Sequence, residues 1–230
     1  MYLSRLILNA HNAQVRRELA RPYQMHRTLL RAFPQGKTGV NRGDDDAAGM
    51  LFRVDERPHD NLIALLVQSK IAPNWAYLDG LRDSHGHAYL LPVPTWGDDR
   101  PNPAMTQFGL SEKIRQGQLL AFRLRANPTK RRKDDGKRVG LYDEQAQIEW
   151  LRRKVESGGF WLLRAQIGRN DKLQDTIHRK DCTHDLELFS VQFDGMLQVL
   201  DPQQVCKTVE AGIGSGKGLG FGLLSLARPA

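Results

Sequence analysis

Cysteine is almost missing from this chain. Its 230 residues hold two, Cys182 and Cys206, which cannot build the disulfide framework of a small secreted domain. Long apolar runs are missing too. No stretch approaches the length that crosses a bilayer, and the opening Met1-Tyr2-Leu3-Ser4-Arg5, with Arg16 and Arg17 soon after, holds no apolar core of a secretory signal. These absences predict a protein of the reducing cytoplasm with no membrane partner. Acidic residues are in deficit: 26 Asp and Glu stand against 34 Lys and Arg, a formal net charge of +8. Such a surplus of cations attracts polyanions, nucleic acid foremost, although a basic protein with no special partner has the same balance. What is present is ordinary for a globular chain. Apolar residues make up 40% and charged residues 26%, enough for one large or two small cores.

The apolar residues fall in short runs at Tyr2–Leu8, Met50–Val54, Leu62–Val67, Leu119–Leu124, Phe160–Ile167, Leu186–Phe193, Met196–Leu200 and Leu219–Leu226. All are of strand length. In one of them Leu120, Phe122 and Leu124 alternate with Ala121, Arg123 and Arg125, the pattern of a half-buried antiparallel strand with a cationic outer side. Helical spacing covers 12–33, broken and re-entered at Pro22, and 143–156, capped by Asp143. Shorter helices are predicted at 75–82 and, after Asp201-Pro202, at 202–210. With a last strand of the first half at Ala104–Leu110, the order is βαββαβ twice. The predicted fold is therefore α+β, two tandem ferredoxin-like domains with antiparallel sheets, 1–112 and 118–230. Residues 34–49, rich in glycine, and the polar stretch 127–140 are predicted to be loops.

Three constellations could carry chemistry. On helix 22–33, Met25, Leu29, Ala32 and Phe33 centre an apolar arc, with His26 and Leu30 on its flank. Tyr23 lies three residues before His26 on the same side, and Arg27 and Arg31 come next around the helix. Imidazole exchanges a proton near neutral pH, and guanidinium groups hold phosphate. Those are the parts of phosphodiester cleavage. A core-edge histidine beside an interfacial tyrosine fits the same spacing, and the helix alone favours that plainer account. The second constellation is Lys130-Arg131-Arg132-Lys133, then Lys137 and Arg138, following the strand of Arg123 and Arg125 and preceding Arg152, Arg153 and Lys154. Such a series could track a phosphate backbone rather than merely solvate a loop. The third is the tail Gly212-Ile213-Gly214-Ser215-Gly216-Lys217-Gly218-Leu219-Gly220-Phe221-Gly222. Gly214, Gly216 and Gly218 could let amides approach a phosphate beside Lys217, or the segment could be a plain hinge. It is not a P-loop, because Gly218 stands where Ser or Thr would hold magnesium. Metal sites are not predicted. Asp44-Asp45-Asp46 read as a solvated loop tip, His178, Cys182 and His184 match no zinc spacing, and the pair His85 and His87 is weak.

The opening Met1-Tyr2-Leu3-Ser4-Arg5-Leu6, the segment Arg21-Pro22-Tyr23-Gln24-Met25-His26-Arg27, the segment Leu124-Arg125-Ala126-Asn127-Pro128-Thr129-Lys130 and the ending through Gly222-Leu223-Leu224 occur in one order. In that order they resemble the CasE (Cse-type) CRISPR RNA-processing endoribonucleases of the type I-E Cascade complex, along the whole chain. The resemblance implies two ferredoxin-like domains and metal-independent cutting of the repeat hairpin in precursor CRISPR RNA, with no cofactor. It implies attack by the RNA's own 2′-hydroxyl, a 2′,3′-cyclic phosphate product, and retention on the hairpin among the other Cascade subunits. The matching catalytic positions are His26 and Tyr23. In such a site His26 would serve as base or acid, Tyr23 would orient the 2′-hydroxyl or phosphate, and Arg27, Arg31 and Lys217 would stabilise phosphate charge. Lys130–Lys133 would grip the hairpin backbone. Two other accounts are a hairpin-binding subunit that does not cut, and a metal-dependent nuclease using Asp44–Asp46.

Overall fold

The computed structural model describes residues 1–33, 48–57, 62–92, 100–179 and 182–229. The chain divides into two compact units. The first is Met1–Phe108 with Gly218–Gly220, and the second is Gly109–Lys217 with Phe221–Ala230. No helix among the described residues is long and apolar enough to cross a membrane.

In the first unit, β1 (Tyr2–Leu8) is followed by α1 (Ala13–Ala20), α2 (Pro22–Leu30), β2 (Leu51–Arg57), β3 (Leu62–Ser69) and β4 (Ala104–Gln107). The sheet order is β2-β3-β1-β4, with antiparallel pairing throughout. This is the ferredoxin-like arrangement predicted from the element order. Leu6 and Leu8 of β1, Phe52 of β2, and Leu65 and Val67 of β3 form one apolar face, which packs with Val15, Met25, Leu29 and Phe33. The helical stretch breaks at Pro22, as predicted. That residue lacks an N–H and opens α2 at its first position, while Asn12 Oδ1 caps α1 by accepting from the amides of Gln14 and Val15. The segment predicted as a helix at 75–82 is one 3-10 turn, Ala76–Leu78. The chain then runs outward to a bridge between Arg82 and Ala88. Of the predicted loop 34–49, residues 34–47 and with them Asp44–Asp46 lie outside the described residues.

The second unit repeats the plan. It contains β5 (Leu119–Ala126), β6 (Thr129–Arg131), β7 (Arg138–Gly140), α3 (Glu144–Glu156), β8 (Phe160–Arg179), β9 (Cys182–Val199), α4 (Pro202–Ala211) and β10 (Leu224–Ala227). Its main sheet runs β10-β5-β9-β8. The alternation of β5 falls as predicted: Leu120, Phe122 and Leu124 are buried and Arg123 is exposed. Asp143 Oδ1 caps α3 through the Ala146 amide. Three expectations needed correction. The polar stretch 127–140 holds a small antiparallel hairpin, β6–β7, paired from Thr129↔Gly140 to Arg131↔Arg138. The runs 186–193 and 196–200 are one strand, because Gly195 is a close approach rather than a turn. A Cβ there would lie 2.0 Å from the Arg164 carbonyl oxygen, beside the register shift at Leu162/Arg164. The final apolar run becomes strand only at Leu224, after a 3-10 turn at Lys217–Leu219.

One polar cluster holds the first unit's helices together. Glu18 of α1 is 4% exposed. Its Oε1 accepts from Thr28 Oγ1 at 2.6 Å and Gln14 Nε2 at 2.8 Å, and its Oε2 accepts from Tyr89 OH at 2.6 Å. Burial and the nearby Glu18 charge push the Tyr89 phenol far above its ordinary pKa, so it stays protonated and donates. Tyr77 OH donates to the Thr28 carbonyl at 2.6 Å. A buried donor stripped of its partner costs about 1–3 kcal/mol, so Glu18→Ala should destabilise the protein by about 3 kcal/mol. Guanidinium unfolding measures this; a loss below about 0.5 kcal/mol would show that the cluster does not hold α1 to α2.

Candidate active site and nucleic-acid surfaces

Helix α2 sets the spacing of the site. Tyr23 and His26, three residues apart, place their rings 6.3 Å apart and 29° from parallel. On its other side His26 meets Phe52 of β2 at 6.2 Å and 22°. The imidazole is thus the middle ring of three. It is 7% exposed, deeper than its place on the flank of the helical arc suggested. The added cover comes from the distant segment Gly218–Gly220, which belongs to the same unit. A Cβ built on Gly218 would sit 3.5 Å from His26 Nε2 and 3.6 Å from both neighbouring ring carbons. A Cβ on Gly220, whose φ is +82°, would sit 3.1 Å from Phe52 Cε2. Bare backbone therefore lies against the imidazole edge and its aromatic neighbour. Sequence reasoning found Gly218 but assigned it to phosphate approach. It passed over Phe52 and Gly220, for which no local signal exists.

The two arginines of α2 differ. Arg27 is exposed, whereas the Arg31 guanidinium stacks 4.7 Å from the Tyr77 ring centre.

In the second unit the basic residues are unequal. Lys130, Arg131 and Lys133 of the β6–β7 hairpin are exposed. Arg132 is bound within its own turn by Asp134, with Asp135 at 3.7 Å, and Lys137 lies 3.8 Å from Asp135. The carboxyl of Asp134 is held below its ordinary range chiefly by Arg132. All four cations of the run are exposed, and one of them, Arg132, is already in an ion pair. Arg123 pairs with Asp194 at 2.6 Å. Arg125 donates to Ser190 Oγ at 2.7 Å and lies 5.7 Å from the Phe221 ring centre. Arg152 and Arg153 are exposed on α3, Arg152 lying 3.7 Å from Glu149. Gln147 Nε2, donating to the Leu141 carbonyl, ties the start of that helix to the base of the hairpin.

Gly214 and Gly216 have φ of +88° and +79°. Their missing side chains are explained by packing: a Cβ would stand 3.2 Å from the Trp150 ring at Gly214 and 2.9 Å from Phe221 at Gly216. Lys217 follows in the 3-10 turn, its Cγ 3.5 Å from where a Cβ on Gly222 would lie. Among the described residues, metal-ligating atoms gather at Asp83, His85 and His87. The side chains of His178, Cys182 and His184 lie outside the described ones.

Two ferredoxin-like units, with a histidine beside two aromatic rings in the first and exposed basic residues in the second, place the chain among double ferredoxin-like proteins. Residues 1–228 match the family of CRISPR associated proteins, and the chain belongs to that family. It is 36% identical over 235 residues to the CRISPR-associated endoribonuclease Cse3 of Thermus thermophilus, covering 99% of this chain and 100% of that one. It is 30% identical over 248 residues to the CRISPR system Cascade subunit CasE of Escherichia coli, covering 99% of both. A solved structure of Cse3 bound to a 19-nucleotide RNA superposes with a TM-score of 0.78 at 34% identity, over 99% of this chain and 100% of that one.

The glycines separate by substitution. Gly216→Ala forces a left-handed residue into the Phe221 ring and should cost about 2 kcal/mol. Gly218→Ala meets His26 at ordinary contact distance and should leave the melting temperature within about 2 °C. Equal destabilisation by the two, read by thermal unfolding, would contradict this geometry.

Proposed function

We propose that this chain is a metal-independent endoribonuclease that cuts the repeat stem-loop of precursor CRISPR RNA and stays on the product within Cascade, in the cytoplasm. The 2′-hydroxyl 5′ of the cut attacks the adjacent phosphorus, the 5′-oxygen leaves, and a 2′,3′-cyclic phosphate remains. The observation that carries this reading is the seat of His26, an imidazole aligned with Tyr23 on one helix and edged by the side-chain-free Gly218. The whole-length likeness to Cse3 and CasE supports it. His26 moves a proton at the 2′-hydroxyl or at the leaving oxygen. Tyr23 orients the reacting groups. Arg27, Arg31 and Lys217 are assigned to phosphate charge, with Arg27 the less encumbered of the two on α2. The nucleophile is already beside its target, and that proximity lowers the barrier without a metal-bound water. The deep burial of His26 favours one rival, a hairpin-binding subunit that does not cut.

His26→Ala should lower single-turnover cleavage of the stem-loop by about 10²–10⁴-fold while leaving affinity unchanged. A substrate with 2′-deoxyribose just 5′ of the cut should bind and stay whole, and a chelator should change neither result. Cleavage that survives in the variant removes His26 from the chemistry. Cleavage of the deoxy substrate, or its disappearance with the metal, would make water the nucleophile.

The basic hairpin, with Arg123, Arg125, Arg152 and Arg153, is assigned to gripping the RNA backbone. Removing one cation that neutralises a phosphate should reduce the slope of log affinity against log salt by roughly 0.7–0.9. Lys130→Ala, Arg131→Ala and Lys133→Ala should each do so. Arg132→Ala should do so less, because Asp134 already holds its charge. Four equal slopes, measured by filter binding, would contradict this ranking.

A further inference from the structure

The turn at residues 83–87 gathers groups that RNA cleavage does not use. Asp83, His85 and His87 each bring a metal-ligating atom within 4.8 Å of the others. A third imidazole stands beside them. The rings of His85 and His11 centre 6.0 Å and 6.2 Å from that of His87.

The turn is firmly built. The Asp83 carboxylate, 3% exposed, accepts from the amides of Ala13, His85 and His87, each at 2.9 Å, and lies 3.2 Å from His87 Nδ1. Asn12 Nδ2 donates to the His87 carbonyl at 2.7 Å, and Gly86 takes the left-handed φ of +81° that the turn requires. An anionic carboxylate on Nδ1 fixes that nitrogen as the N–H and leaves the lone pair on Nε2. This is how outer-shell carboxylates orient metal-ligating imidazoles. Ser84 Oγ lies 3.3 Å from His85 Nδ1.

We propose that His11, His85 and His87 form a surface site for a first-row divalent transition ion such as Zn²⁺, with Asp83 orienting His87 from behind and water completing the coordination. Two imidazoles on one tetrahedral zinc have ring centres roughly 5 Å apart, given Zn–N of about 2.0–2.1 Å. The rings are exposed, and each of the two pairs that share His87 would close by about 1 Å on a common ion. Imidazole donors suit zinc, nickel and copper and not magnesium or calcium. The ion would join the chain just ahead of α1 to the 83–87 turn, a staple at the start of the helix that carries Glu18. It includes neither His26 nor Tyr23, so it stabilises the fold without entering the chemistry.

The test uses the full chain, freed of metal with chelator and dialysed. Zinc titrated by calorimetry should show one saturable site of micromolar affinity. Zinc, and not magnesium, should raise the melting temperature by several degrees, as mass action on a folded-state site requires. The double variant His85→Ala/His87→Ala should lose both effects, and its metal-free melting temperature should match the parent's, since both rings are exposed. His11→Ala should weaken binding about tenfold rather than abolish it. Should the double variant melt early without metal, His85→Gln alone serves instead and should weaken zinc binding in the same way. RNA cleavage should be the same with and without zinc. No saturable zinc binding, or parental affinity in the histidine variants, overturns the proposal. Either outcome leaves the role of His26 untouched.

Discussion

A carboxylate cut off from water keeps its charge only where donors replace the water that solvated it. Glu18 has three such donors, and two of them belong to other parts of the first unit: Thr28 on α2 and Tyr89 just after the 83–87 turn. The strength of these charge-assisted bonds fixes more than α1. Thr28 stands two residues after His26, and its carbonyl is held in turn by Tyr77, whose ring lies under Arg31. The rotation of α2 about its axis is set by this chain of contacts. Rotation decides whether Tyr23 and His26 face Phe52 or face away. The short break at Arg21-Pro22 lets α1 and α2 meet at Glu18 instead of continuing as one rod.

The glycine segment works from the other side. A methyl group at position 218 would meet the imidazole edge at ordinary contact distance, and a larger side chain would close it off. At positions 214 and 216 the absence of a side chain serves Trp150 and Phe221 inside the second unit. One stretch of sequence therefore contains glycines under different packing constraints, Gly218 and Gly220 beside rings of the first unit and Gly214 and Gly216 beside rings of the second.

Much of the fold was legible because its signals are local. Pro22, Asn12 and Asp143 mark helix starts within one turn, and the alternation of β5 reads directly into its two faces. The unreadable parts depend on distant partners. Gly195 breaks an apolar run for the sake of a carbonyl on the neighbouring strand, so one strand looked like two. The β6–β7 hairpin was hidden in a charged stretch, because its strands are three residues long and carry consecutive Lys and Arg with no apolar alternation. Tyr23 and His26 could be found by helical spacing, but Phe52 reads as one more core residue. Its stacking on His26 is settled by sheet register, which no short window contains.

The same dependence on distant chain bears on how the first unit is completed. Residues 1–108 supply its sheet, its helices and both aromatic neighbours of His26, yet Gly218–Gly220 arrive only after the whole second unit has been traversed. Without those three residues the edge of His26 and one side of Phe52 would face water. Against fixed backbone and two rings the imidazole has little room for solvent. The covalent order of the chain thus completes the first unit, beside its buried histidine, with three residues that come only after position 217.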